Sequence, residues 1–280
     1  MRLPLRTLLL GAFAAAVMAA ATGGGIYFQR RLADPAPAAT EESLPIPPEP
    51  PLVEDSPEYV RCLDLVRSDP QEALSTAEAL IANGGGDGAR HCQALSLFAI
   101  GEPERAAPRL QELGTHAGIS NTARAAIYGQ AGQAWMAAGD VNRAYGAVTL
   151  ALALTPNDPD LLVDRAAAAG ALGRFPEALE DATHATTLDA DRPDAWVFRA
   201  SALRHLNRTQ EALHDVERAL NIEPDNAEAL LERGILRQLN SDMEGARQDW
   251  ERVITASPES AAAELAQQNL ELSEAGPAAR

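Results

Sequence analysis

PDAWVFRASALRHLNRTQEALHDVERALNIEPDN, residues 193–226, is one of four successive 34-residue copies of a single pattern between Ala125 and Pro258. Prolines stand at Pro156, Pro224 and Pro258, with Ala190 at the interpolated place, and alanine recurs at Ala144, Ala178, Ala212 and Ala246. A fixed period of this length marks stacked supersecondary units, each touching only its neighbours. Within the quoted copy, Ala212, Leu213, Val216, Ala219 and Leu220 share one face of a helix, and Glu211, His214, Asp215, Glu217 and Arg218 share the other. A hairpin of this kind cannot bury its own apolar stripe, so the copies must stack, and the periodic alanines let two helices approach closely.

The pattern resembles the tetratricopeptide repeat. In the copy 193–226, Trp196, Leu203, Ala212, Ala219 and Pro224 occupy that family's large, aromatic, small, small and proline places, with Ala200 where the family has glycine. The copy 125–158 supplies Tyr128, Gly132, Trp135, Ala144, Ala151 and Pro156, and the copy 227–260 supplies Leu230, Gly234, Ala246, Trp250 and Pro258, with Arg237 in the aromatic place. The copy 159–192 carries Leu162, Ala166, Ala169, Ala178, Ala182 and Ala185. The resemblance implies an all-α, right-handed superhelical solenoid of antiparallel helix pairs whose first helices line a concave groove. Trp135, Trp196 and Trp250 are expected in the core.

Carried onto this sequence, the groove implied by the family is lined by Gln133, Met136, Val163, Val197, Ser201, Arg204, His205, Leu231, Ile235 and Gln238. Arg204 and His205 are the expected anchor for an acidic side chain or a chain-terminal carboxylate. The lysine and asparagine rows of the co-chaperone clamp are missing, since Gly129, Gln133, Val163, Ala167, Val197 and Ser201 stand there. A helix or extended peptide pressed into an apolar groove is the expected ligand.

Composition agrees with thin, closely packed helices. Aromatic residues make up only 4% of the 280 residues, and the formal charge is −17. All 23 basic residues are arginine, and residues 125–260 hold 22 acids against 12 arginines. A surface this acidic repels phosphate backbones, so nucleic acid is excluded as a partner and basic or neutral proteins are expected.

The N-terminal fifth reads as organised for export. Met1–Arg6 is a basic head, Thr7–Phe28 is uncharged, and Arg30-Arg31 closes the run. Residues 1–32 therefore read as a signal peptide or an N-terminal transmembrane anchor. The run is long enough to span a bilayer, while Ala19-Ala20-Ala21 offers a cleavage site. The expected location is periplasmic, tethered to the inner membrane by residues 7–28, with cleavage near Ala21 as the alternative. Residues 33–57 are rich in proline and acid and form a linker, reaching on the order of 75 Å if fully extended as polyproline II.

Residues 58–124 hold two degenerate helical hairpins. Asp69-Pro70-Gln71-Glu72 reads as a helix start, Asn83–Gly88 as a breaker, and Gly114–Asn121 as the place of four surplus residues before the phased copies begin. Cys62 and Cys92, the only cysteines, fall on the first helices of these hairpins and are a candidate disulfide that would staple the weakest part of the array. Residues 261–280 form a capping helix and tail, opened by Ser257-Pro258-Glu259.

No catalytic, cofactor or metal set is expected. The five histidines lack metal-ligand spacing, no phosphate loop or nucleophile elbow occurs, and the acids read as solubilising charge on exposed helix faces. The expected function is a non-enzymatic adaptor or assembly factor of a bacterial-type cell envelope. A regulatory or substrate-presenting module of an envelope enzyme complex, such as one for cytochrome maturation or cell-wall remodelling, is the alternative.

Overall fold

A computed structural model describes residues 53–274, which divide after Pro156 into two compact units. The proposed export segment and nearly all of the linker lie outside the described residues. Among the described residues every regular element is a helix, and none is long and apolar enough to cross a membrane.

The first unit, residues 53–156, contains α1 (Pro57–Ser68), α2 (Pro70–Ala82), α3 (Asp87–Ala99), α4 (Pro103–Leu113), α5 (Asn121–Ala137) and α6 (Val141–Leu154). Each helix packs on the next, and α1 also packs on α3. The second, residues 157–274, contains α7 (Pro159–Ala171), α8 (Phe175–Leu188), α9 (Pro193–His205), α10 (Thr209–Ile222), α11 (Ala227–Leu239), α12 (Met243–Ala256) and α13 (Ala261–Glu274). Here the first helices α7, α9, α11 and α13 lie side by side in sequence, each also packed on a second helix.

Local chemistry sets these boundaries. Proline opens α1, α2, α4, α7 and α9, where the missing N–H costs no hydrogen bond. Side chains of Ser56, Asp69, Ser120, Asp140, Asp158, Asn226 and Asp242 accept N–H bonds from the first turns they precede. The turns after α5, α7, α9 and α11 close the same way. Asp140, Arg174, Arg208 and Asp242 donate their N–H to the carbonyls of Trp135, Ala169, Leu203 and Arg237, five residues back. That closure needs a left-handed residue, and Gly139, Gly173, Asn207 and Ser241 supply it with φ of 79°, 74°, 61° and 66°.

The periodic alanines Ala144, Ala178, Ala212 and Ala246 are fully buried. Around them, the second unit packs Leu203, Val216, Leu230, Leu236, Trp250 and Val253 into one core. Trp135 and Trp250 are buried, but Trp196 is only half-buried, with the Arg199 guanidinium 4.3 Å from its ring centre. The core expectation for Trp196 is therefore corrected: its ring lies at the edge, stacked on cations.

Three boundaries differ from the sequence reading. The four surplus residues are one additional helical turn, because α5 has 17 residues where α7 has 13 and begins at Asn121, capped by Ser120. The breaker ends early, since Asp87 and Gly88 already belong to α3. At the far end Ser260, not Ser257, caps α13, its hydroxyl accepting from the Ala263 N–H.

Candidate partner-binding face

On a helix, residues spaced by three and four share a face. In α9 the series Asp194, Val197, Ser201, Arg204 and His205 forms such a stripe, and Asp160, Val163 and Ala167 in α7 and Glu228, Leu231, Ile235 and Gln238 in α11 repeat it. Because α7, α9 and α11 pack side by side, equivalent positions stand in rows. Asp160, Asp194 and Glu228 are 34 residues apart, as are Val163, Val197 and Leu231.

Eight of the ten expected groove residues fall on these three helices. Val163, Val197, Ser201, Arg204 and Leu231 are buried, and His205, Ile235 and Gln238 are half-buried. The other two, exposed Gln133 and half-buried Met136, belong to α5 of the first unit.

Arg204 needs correction as an anion receptor. Its Nε donates to Glu232 Oε1 at 2.5 Å and its Nη2 to Glu232 Oε2 at 3.2 Å, linking α9 to α11 with both side chains over nine-tenths buried. The cation is spent inside the fold. His205 offers no charge either: its ring stacks on Phe175 at 4.0 Å, and burial together with the Arg204 cation pushes its pKa down to about 4.

The reading of the acids as surface charge also fails at specific places. Asp181, Asp215, Asp249 and Glu232 are buried, each paired with an arginine. Asp215 is buried although Glu211 and Glu217 of its own helix are exposed, because Arg199 reaches it from α9. The signal was present in the sequence as an Arg-to-Asp spacing of 16 repeated every 34 residues.

What remains charged on the stripe is negative. Asp194 and Glu228 have no ion-pair partner within 4 Å among the described residues, and burial raises both carboxyl pKa values. Arg192 opposes the rise at Asp194, while the neighbouring carboxylates of Asp160 and Glu223 add to it. Glu228 feels Asp194 and Glu223 in the same sense. Arg192 itself is held by Asp160 at 2.6 Å and Asp189 at 3.4 Å.

The first unit holds a polar chain that local sequence patterns do not reveal. Tyr59 on α1, His91 on α3 and Gln130 on α5 are joined through His91 Nδ1 and Nε2, at 2.6 Å each. Burial lowers the His91 pKa and raises that of Tyr59 to about 12, so the phenol donates to Nδ1 and the neutral ring donates from Nε2 to the Gln130 carbonyl. Beside this chain Cys62 and Cys92 are joined as a disulfide, with Cα atoms 6.1 Å apart. Among the described residues no three His, Cys, Asp or Glu side chains gather as a metal site.

No protein-family model matches the sequence, and comparison with curated proteins finds no match. Solved structures do match. The "APC/C hetero-tetramer Cut9-Hcn1" is 18% identical with a TM-score of 0.60, over 78% of this chain and 44% of that one. MamA from Desulfovibrio magneticus RS-1 is 18% identical with a TM-score of 0.51, over 59% of this chain and 91% of its own. YrrB, described as "a TPR protein with an unusual peptide-binding site", is 20% identical with a TM-score of 0.49, over 69% and 96%. The chain has the tetratricopeptide-repeat fold, an all-α helical-repeat solenoid.

Proposed function

We propose that this chain is a non-catalytic adaptor that holds a segment of a partner protein along the stripe of α7, α9 and α11. The observation that carries the reading is the charge balance of that stripe. Arg204 is consumed by Glu232 and His205 is neutral, whereas Asp194 and Glu228 are carboxylates without an ion-pair partner among the described residues. A segment with apolar residues for the Val163, Val197 and Leu231 row and an Arg or Lys for the Asp194 and Glu228 row is complementary to it. The overall charge of −17 favours the same partners.

In this reading the adaptor works in the cell envelope, exported by residues 1–32 and held at the inner membrane by residues 7–28. The proline-rich linker sets the repeats at a distance from the bilayer. Both elements rest on the sequence, through the arginine-flanked apolar run and the eight prolines that follow it.

The test is crosslinking in intact cells followed by partner identification, repeated with Asp194→Lys/Glu228→Lys and with Ile235→Glu. Loss of the same partner in both variants is expected, with binding to the wild type weakened by salt. Unchanged capture by both would overturn the assignment of this face. A reporter fused after Arg280 that is active only in the cytoplasm would overturn the export reading.

A further inference from the structure

The first hairpin is the least anchored part of the fold. α1 buries only Tyr59 and Cys62, and α2 only Ala73 and Ala77, whereas α11 alone buries seven residues. The fully buried residues joining the hairpin to α3 are Tyr59, Cys62, Ala77 and Cys92, so the two cysteines are half of them, with half-buried Val53, Leu63 and Val66 packed around. The remaining apolar tie is half-buried Leu74 of α2, packed on the core around Ala94 and Leu97, and the others are polar. Tyr59 donates to His91, and the Glu54 carboxylate accepts from the Gly88 N–H at 2.9 Å. Gly88 leaves room for that carboxylate, since a Cβ at 88 would make the Glu54 side chain shift.

We propose that the α1–α2 hairpin is a cap locked in place by oxidation: it stays docked on α3 only after Cys62 and Cys92 have been joined. The two thiols lose two protons and two electrons to a disulfide-donor protein, whose own disulfide is reduced to a dithiol. Both sulfur-bearing residues are fully buried in the docked state. A reducing thiolate therefore has no approach to the bond until the hairpin opens, and the device is a lock set during folding, not a reversible switch. Without the bridge the hairpin undocks, and His91 and Cys92 on α3 become solvent-exposed. The closed loop, with its sequence separation of 30, makes the constraint worth several hundred-fold in the docking equilibrium, to order of magnitude. Complete assembly of the first unit thus belongs to an oxidising compartment. This inference is independent of the partner-binding reading.

Hydrogen exchange on the full chain tests it in three forms: oxidised, reduced in denaturant and refolded with dithiothreitol, and Cys62→Ala/Cys92→Ala. The reduced wild type keeps every side-chain atom, so it separates loss of the bond from loss of packing. Exchange across residues 57–82 is expected to accelerate about a hundredfold or more in both bridge-free forms, with residues 157–274 unchanged. Native oxidised protein treated with dithiothreitol, freed of it and then exposed to a maleimide should label only when the reduction is done in denaturant. Equal protection of 57–82 in the reduced and oxidised forms would overturn the proposal, as would rapid native labelling of the oxidised protein.

Discussion

Arg199 and Asp215 form a two-pronged ion pair between α9 and α10, with Nε to Oδ2 at 2.7 Å and Nη2 to Oδ1 at 2.6 Å. Arg165 with Asp181 and Arg233 with Asp249 repeat it one period away on either side. In the copy 125–158 the equivalent positions are Ala131 and Ala147, both buried. The pair is thus kept whole or replaced whole. Removing one partner would strand a buried charge, whereas an apolar pair needs no compensation.

Arg199→Ala should therefore cost about 3 kcal/mol, because it leaves Asp215, only 1% exposed, without its cation. Arg199→Ala/Asp215→Ala recreates the Ala131–Ala147 arrangement and should recover most of that loss. Urea unfolding of the single and double variants measures the difference.

A second pairing concerns volume. Gly234 faces Trp250, and a Cβ at 234 would overlap the indole ring, while in the preceding copy Ala200 and Val216 hold the same places. Gly234→Ala should destabilise by about 1–3 kcal/mol through overpacking. Trp250→Val should then cost less in the Gly234→Ala background than in the wild type. A double-mutant cycle with a coupling above about 0.5 kcal/mol is the expected result.

The helices were legible because a 34-residue period, proline starts and small-residue phases are properties of single positions. Pairings across helices were not. Asp215 lies among Glu211, His214 and Glu217 in sequence, and amphipathic spacing assigned it to water; only its partner 16 residues earlier brings it inside. Arg204 reads as a free cation in the sequence for the same reason, since Glu232 belongs to the next repeat. The extra turn of α5 is hidden in the sequence because Gly114–Asn121 has the composition of a loop, and the capping role of Ser120 depends on the fold. Cys62 and Cys92 were legible as a pair because consecutive first helices of a stack are neighbours, but the Tyr59–His91–Gln130 chain spans three repeats and has no local pattern.

The turn after α11 carries a small strain. Ser241 sits at φ 66°, where the equivalent turns after α5 and α7 use Gly139 and Gly173. A residue with a Cβ pays about 1–2 kcal/mol there, partly offset by the greater chain entropy of glycine when unfolded. Ser241→Gly should stabilise by about 0.5–1 kcal/mol, seen as a raised midpoint in urea with an unchanged slope. Asn207→Gly should gain less, because asparagine tolerates this conformation better.

Stability should decline as the pH falls below the histidine range. Burial lowers the pKa of His91 and brings that of His205 to about 4, against about 6.5 in the unfolded chain. Both groups therefore bind protons more readily when unfolded. Their contribution is fully present above pH 6.5 and is lost as the pH falls toward the folded values. For His205 the loss is about 1–2 kcal/mol once solvent screening of its part-exposed ring is allowed for. Asp194 and Glu228 act in the opposite sense, since their raised pKa values favour the protonated folded state in acid. A histidine-free comparison separates the two effects. The wild type should lose more thermal stability between pH 7.5 and 4.5 than His91→Gln/His205→Asn, and parallel melting curves across that range would refute the assignment of a buried and a half-buried imidazole that are both neutral.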